Sequence, residues 1–416
     1  MKRAIPLPTP LKPTLTCKVR TMAQIDFKSA YTLEQHIQRT LAFYKPNVFD
    51  AAGGFFQNFR DDGSVYDAET RHLVSSSRFV FNYAMAARYS ADDSYLPWVE
   101  HGLDYLETAH RQPNGERGYS WVLDETGVVD ATNHCYGLAF VMVAGSTALL
   151  AGVEAGRQSL EAAWTLMEKH FWDAEAGLYC DEANADFSVI DPYRGQNANM
   201  HSCEAMLWAY EATGDVRYLD RAELLANNIT QVQAAKSGGL VWEHYDENWD
   251  IDWDYNKEDP KNLFRPWGFQ PGHQTEWAKL LLILHRHRPN DWSIPTAKKL
   301  FDRALDISWD IENGGICYGF DLEGNVCDGD KYFWVQAESF AAAALLAHAT
   351  GKSVYSDWYQ KIWQYSWNHM IDHEYGAWYR ILTRSNQKMD NLKSPVGKTD
   401  YHTMGACYEV LRSNFL

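Results

Sequence analysis

Three histidines give this chain a means of moving protons near neutral pH: His201, His273 and His402. An imidazole with an ordinary pKa of about 6.5 keeps both its acid and its base form populated there. In His201-x-x-Glu204 and His273-x-x-Glu276 the spacing puts a carboxylate on the same helical face as the imidazole, where it can fix a tautomer and raise basicity. Equivalent stretches of the chain hold Arg71, His72 and Arg78; His134 and Tyr136; Asn197 and Asn199; Arg265; Trp334, Gln336 and Glu338; and Asp400 and Tyr401. A packed core does not select such residues. One histidine on an apolar helix is ordinarily a hydrogen-bonded interior residue, but histidines recurring at the same stage of a repeat point to a shared site.

The elements that position them are legible as a repeat. A glycine-aromatic signature recurs at Gly53-Gly54-Phe55-Phe56, Gly118-Tyr119, Gly177-Leu178-Tyr179, Gly238-Gly239-Leu240-Val241-Trp242, Gly314-Gly315-Ile316 and Gly376-Ala377-Trp378. The period is about 60 to 75 residues, longer than that of the common solenoids. Most copies run into a polar turn such as Asp321-Leu322-Glu323-Gly324, which predicts a small β-hairpin. After each hairpin come two stretches of helical spacing. The first is rich in small residues, as in 136–152, and suits an inner helix; the second is amphipathic, as in 158–170 and 353–367, and suits an outer one. Six such pairs predict an all-α fold, an (α/α)6 barrel whose helix pairs are joined by short β-hairpins. An open superhelical stack is the competing arrangement. Residues near the starts of the inner helices should then converge at one end of the barrel.

Composition narrows the partners. A net charge of -17 disfavours nucleic acid and anionic membrane surfaces, and no apolar run approaches the roughly 20 residues a membrane span needs. Seven cysteines, scattered and without a C-x-x-C pair, read as reduced thiols of a cytoplasmic protein. Residues 1–22, interrupted by Pro6, Pro8, Pro10 and Pro13, read as a disordered leader or an upstream start, with Met22 as initiator and 23–416 as one catalytic domain. No nucleotide loop or nucleophile elbow is present, so no cofactor is expected. The His-x-x-Glu pairs reverse the order of the di-iron motif and lack two further bridging carboxylates, so no metal is expected either. The acidic run from Asp246 to Asp254 lacks the central glycine of a calcium loop and reads as a solvated segment near the barrel mouth. Of 17 tryptophans and 24 tyrosines most must pack helices, but Trp334, at the start of an inner helix, is placed to lie under a sugar ring.

Three segments carry a resemblance to a known family: 193–201 (YRGQNANMH), 264–277 (FRPWGFQPGHQTEW) and 398–405 (KTDYHTMG). They resemble the N-acylglucosamine 2-epimerase family, within it the branch of aldose–ketose isomerases. The likeness runs from about residue 23 onward. It implies an (α/α)6 barrel, turnover without metal or nucleotide, catalytic histidines at His201, His273 and His402, a substrate-binding arginine at Arg78, and pocket residues at Tyr136, Asn197, Glu276 and Trp334. Leu263 stands where relatives acting on a sulfonated sugar carry arginine, which argues against such a substrate.

On this footing the expected reaction is the interconversion of D-mannose and D-fructose, with D-lyxose and D-xylulose as further substrates, through a cis-enediol. His402 would carry the proton between C2 and C1. His273, oriented by Glu276, would relay protons at O1, O2 and the ring oxygen; His201 would assist ring opening, and Arg78 would polarise the oxygens as charge develops. The same groups could epimerise C2 if a second base reprotonated the opposite face. An inverting glycosidase using Glu276 and Glu338 would need the two carboxylates roughly 6.5 to 9.5 Å apart and leaves the histidines unused. The partner expected is a monosaccharide, with the chain a monomer or a homodimer.

Overall fold

The computed structural model describes residues 25–111 and 118–416, so the expectations for residues 1–22 fall outside the described residues. Twelve long helices stand among the described residues: α1 Ala30–Tyr44, α2 Leu73–Ser90, α3 Leu96–Tyr105, α4 Cys135–Leu150, α5 Gly156–Leu166, α6 Gln196–Thr213, α7 Val216–Asn227, α8 Pro271–His287, α9 Ser293–Ser308, α10 Phe333–Thr350, α11 Ser353–His369 and α12 Tyr401–Arg412. The even-numbered helices form an inner ring in which each packs on the next and α12 returns to α2. Each odd-numbered helix from α3 to α11 packs outside the inner helix before it. The ring is the closed (α/α)6 barrel that the repeat predicts.

The order of pairing departs from the expected one at a single place. After the sixth connector only α12 follows, and its outer partner is α1, from the other end of the chain. The repeat begins on an outer helix, so the ring closes by pairing the first described helix with the last.

Composition explains which helix goes where. α4 and α10 bury nearly every residue, including Leu138 to Ala148 and Val335 to Leu346, and small side chains let neighbours approach on all sides. A Cβ on Gly145 would meet the backbone of α5 at Gly156, and one on Gly156 would meet α4, so this pair requires glycine on both helices. α9 instead buries one stripe, Ala297, Leu300, Phe301, Ala304 and Leu305, and leaves its charged face wet. Burying each Leu or Phe of such a stripe contributes about 2 kcal/mol. No helix among the described residues is long and apolar enough to cross a membrane.

The connectors do more than join helices. The extended residues before each inner helix pair antiparallel with the next connector: Arg71–His72 with 122–123, Asn133–His134 with 182–183, Arg194–Gly195 with 244–245, and Lys331–Tyr332 with 381–382. Isolated bridges from Phe269 to Phe320 and from Ser394 back to Phe59 complete the circle. A second device ties three of the inner helices, α6, α8 and α10, to the hairpin before each. The side-chain amides of Asn199, Gln274 and Gln336 bond both the N–H and the C=O of Tyr179, Val241 and Ile316, respectively. These buried backbone groups would otherwise lack partners.

Candidate active site

Where the inner helices begin, the ring opens into a cavity of about 800 Å³. Its lining follows the helical repeat. Second residues of inner helices, Tyr136, Asn197, Trp334 and His402, form the upper tier, and sixth residues, Arg78, His201 and Glu276, lie one turn deeper. His273, third in α8, completes the set of eight residues singled out from the sequence, all of which line this one cavity. Glu338, sixth in α10, lies just beneath.

His402 is held from two sides. Its Nδ1 lies 2.7 Å from Glu338 Oε1 and its Nε2 lies 3.2 Å from the Arg78 guanidinium. A nitrogen facing an arginine donor must offer a lone pair, so Nδ1–H donates to Glu338 and Nε2 is the free base. Burial, with the charge of Arg78 beside it, holds the His402 pKa well below its ordinary value, so the ring is neutral near pH 7. Arg78 also donates to the Tyr136 hydroxyl at 3.0 Å and to the Gly397 carbonyl, and rests 4.3 Å from the Phe140 ring.

His201 pairs as its spacing predicts, with Nδ1 2.9 Å from Glu204 Oε2. Burial lowers its pKa and Glu204 works against the shift. Its ring centroid is 6.1 Å from that of His402 and 5.0 Å from that of Tyr136.

His273 corrects the expectation. Its Nδ1 meets not Glu276 but Glu243, at 2.8 Å, on the connector before α8. Helical Cα–Cβ bonds tilt toward the N-terminus, and His273 sits in the first turn, so its ring projects back to the hairpin. Glu243 is fixed by the Gln196 amide at 2.9 Å, and Gln196 in turn accepts from the Trp277 indole at 2.7 Å. Trp334 lies against both histidines, its ring 4.9 Å from His273 and 5.9 Å from His402. It can lie there because residue 272 is glycine; a Cβ would overlap the indole.

Released from His273, Glu276 has no hydrogen-bond partner on either oxygen among the described residues. Burial, then the charge of Glu338, pushes its pKa well above the carboxylate range, so it stands in the cavity as a neutral acid able to donate. The Asn197 carbonyl oxygen is likewise buried without a partner. A polyhydroxylated ligand is the chemistry that satisfies such groups.

Other residues named from the sequence serve the frame. Arg71 pairs with Asp50 at 2.6 Å, and Asn199 and Gln336 are the amide ties described above. Asp400 binds Lys398 at 2.5 Å and Tyr44 at 2.6 Å. His72 faces the cavity but caps α2, its Nδ1 accepting from the Val74 N–H at 3.2 Å, and burial drives its pKa down to about 3. Near the mouth His134 stacks on Trp121 at 3.8 Å, Arg265 is bound to Glu182, and Phe264 stands 74% exposed. The carboxylates of Asp246, Glu247, Asp250 and Asp254 are exposed, and Asp246 accepts from the N–H groups of Asn248 and Asp250 to form a turn.

Two functional residues escaped the sequence reading. Glu243 directly follows the fourth glycine-aromatic signature, and Lys279 interrupts the otherwise apolar run 277–284, six residues after His273. Ligand-type atoms of His201, Glu204 and Glu276, and of Glu276, Glu338 and His402, lie within 4.8 Å of one another, a spacing one ion could share. The Lys279 ammonium already stands among these carboxylates, 2.5 Å from Glu338, 3.6 Å from Glu204 and 3.8 Å from Glu276.

Residues 54–406 match the family described as N-acylglucosamine 2-epimerase (GlcNAc 2-epimerase). A D-mannose isomerase of Marinomonas mediterranea is 57% identical over 388 residues, which cover 93% of this chain and 98% of that protein. A crystal structure of a D-mannose isomerase matches with a TM-score of 0.92 at 56% identity, over 94% of this chain and 100% of the other. A cellobiose 2-epimerase from Spirochaeta thermophila DSM 6192 matches with a TM-score of 0.79 at 20% identity, over 92% and 97% of the two chains, a likeness of fold alone.

Proposed function

The chain belongs to the N-acylglucosamine 2-epimerase family, and from that premise we propose that it is a sugar isomerase interconverting D-mannose and D-fructose without metal or nucleotide, with D-lyxose and D-xylulose as further substrates. Support for the chemistry comes from one juxtaposition: the unprotonated Nε2 of His402 and the Arg78 guanidinium, 3.2 Å apart at the cavity wall. A base beside a cation is what enolisation of an α-hydroxy aldehyde needs. Support for the substrate comes from the 57% identity to a D-mannose isomerase.

In the forward direction the ring first opens, with an acid at the ring oxygen and a base at the anomeric hydroxyl. His273 takes the anomeric hydroxyl proton on its Nε2 and delivers that same proton to the ring oxygen, with His201 assisting; the Nδ1 of each is committed to a carboxylate. His402 Nε2 then removes the C2 proton, the C–H electron pair becomes the C1=C2 double bond, and O1 takes a proton through His273. Arg78 stabilises the charge that develops on the oxygens. Loss of the O2 proton through His273 restores a carbonyl at C2, while His402 returns its proton to C1. Atoms and electrons balance with no external reactant. Trp334 lies beneath the chain of the sugar, and Asn197, Tyr136 and the neutral Glu276 answer its hydroxyls.

Epimerisation at C2 would demand a second base across the sugar plane, with the proton returned to C2. A glycosidase reading has little support, because Glu338 is committed to both His402 and Lys279.

The decisive experiment incubates EDTA-treated protein with D-mannose in heavy water and follows products by NMR. Fructose, labelled at C1 or unlabelled through internal transfer, is the expected outcome. Glucose carrying deuterium at C2 would make the protein an epimerase, and no conversion of any free hexose would end the proposal.

A further inference from the structure

Below the histidines, one lysine links groups that the reaction treats separately. Lys279 is the ninth residue of α8 and only 5% exposed, in a stretch of the helix where Trp277, Ala278, Leu280 and Leu281 are buried as well. Its ammonium reaches Glu338 on α10 at 2.5 Å, Glu204 on α6 at 3.6 Å and Glu276 on its own helix at 3.8 Å. The first two carboxylates are those that accept the Nδ1 protons of His402 and His201. A single cation therefore touches both acid–imidazole dyads.

Three carboxyls, two imidazoles and Arg78 share this interior, and their protonation is not fixed by position alone. Burial raises the pKa of Glu338 and the pull of Lys279 works against that shift, so loss of the ammonium would move the carboxyl further toward its protonated form. A protonated Glu338 donates instead of accepting, and His402 would have to turn its lone pair to Nδ1 and its proton to the cavity. The base would then face away from the substrate. The same holds for Glu204, which is kept well below the carboxylate range by Lys279 and His201 in spite of burial. The ammonium's own pKa is raised, because the charges facing it, Glu338 first and then Glu204, outweigh the effect of burial.

We propose that Lys279 is a positioning residue for the isomerisation: its fixed charge keeps Glu204 and Glu338 ionised, so that His201 and His402 both carry their proton on Nδ1 and present Nε2 to the sugar. It stands where the ligand-type atoms of this cluster converge and supplies the charge that an ion would otherwise bring. Its catalytic meaning rests on the isomerase reading; the tautomer assignment does not.

The test has two arms. In the wild-type protein at pH 7, with no substrate, nitrogen-15 NMR of labelled histidine and lysine should show Nδ1 protonated and Nε2 unprotonated for His201 and His402, and a charged Lys279. In turnover, Lys279→Met should lower kcat for D-mannose about 100-fold with KM within about threefold. The acid limb of its pH profile should move upward, because removing a cation raises the pKa of every group facing it: His201 and Glu204 on α6, Glu276 on α8, Glu338 on α10 and His402 on α12, with Arg78 on α2 unchanged in charge. Lys279→Arg, which keeps the charge, should recover most of kcat and the wild-type limb. Nε2–H tautomers or a neutral Lys279 in the wild type would overturn the proposal, as would a folded Lys279→Met variant with kcat within threefold and an unmoved limb. Should that variant fail to fold, the wild-type spectra decide. Because they need no turnover, a failed isomerase reading is told apart from a failed role for Lys279.

Discussion

α6 and α8 carry the same four-residue spelling, histidine followed by glutamate three positions on, and use it in opposite ways. On α6 the pair closes on itself, His201 to Glu204 at 2.9 Å. On α8 it stays open, and His273 goes to Glu243 while Glu276 is left without a hydrogen bond. Depth in the helix makes the difference. His201 is the sixth residue of its helix and its neighbours are other inner helices; His273 is the third, and the nearest polar group lies on the hairpin behind it. The α6 pair is therefore anchored to the barrel wall and His273 to a connector; His402, although only second in its helix, also reaches the wall because Glu338 of the neighbouring α10 lies beside it. A spacing rule predicts which side chains can touch and not which have a better partner elsewhere.

Substitutions can break or sharpen this contrast. His402→Ala removes the wall-anchored base itself and should lower kcat by about 10⁴-fold while circular dichroism remains native; wild-type turnover would remove the central assignment. Glu338→Gln keeps the base but loses the carboxylate that fixes its tautomer, and steady-state kinetics should show kcat down roughly 10²- to 10³-fold. Glu243→Gln makes the same change at the connector-anchored histidine, where the effect should be about 10- to 100-fold. Glu276→Gln should cost less than about tenfold in kcat/KM, since an amide resembles the neutral acid that burial imposes there; a larger loss would show that Glu276 works as a carboxylate.

The mildest effect concerns pH and stability. Burial holds His36, His110 and His134 down to about 4 and His72 to about 3. Unfolded, each returns to about 6.5, so below that pH the unfolded chain binds more protons than the folded one. The stabilisation they confer is complete above pH 6.5 and is lost as the pH falls toward 4. Thermal melts should show Tm level above pH 6.5 and declining below it, and His72→Asn should flatten part of the decline.

Much of this site was readable before any coordinates, because a repeat converts sequence position into spatial position. Arg78, His201 and Glu276 stand at the same point of three inner helices, so they had to share a tier. The spacing of the glycine-aromatic signatures likewise implied six connectors at one end. What the repeat could not convey is contact between copies. Glu243 is remote from every inner-helix start, and its role depends on how a hairpin folds over α8. Lys279 looked like a lone charge in a core helix because its three partners come from α6, α8 and α10, and only the ring brings them together. Asn199 and Gln336 misled in the other direction, since an amide one turn into an inner helix satisfies hairpin backbone rather than a ligand.

The pairing of α1 with α12 has a consequence for how the molecule is made. Domains tend to organise from the N-terminus as they are synthesised, yet α12 carries His402 and is the last inner helix to emerge. Until it does, α2 and α10 each lack a neighbour, and the wall has a gap where His402 belongs. If His402 has the role proposed for it, a polypeptide that stops short of α12 should be inert rather than partly competent, and turnover should begin only when the ring is sealed.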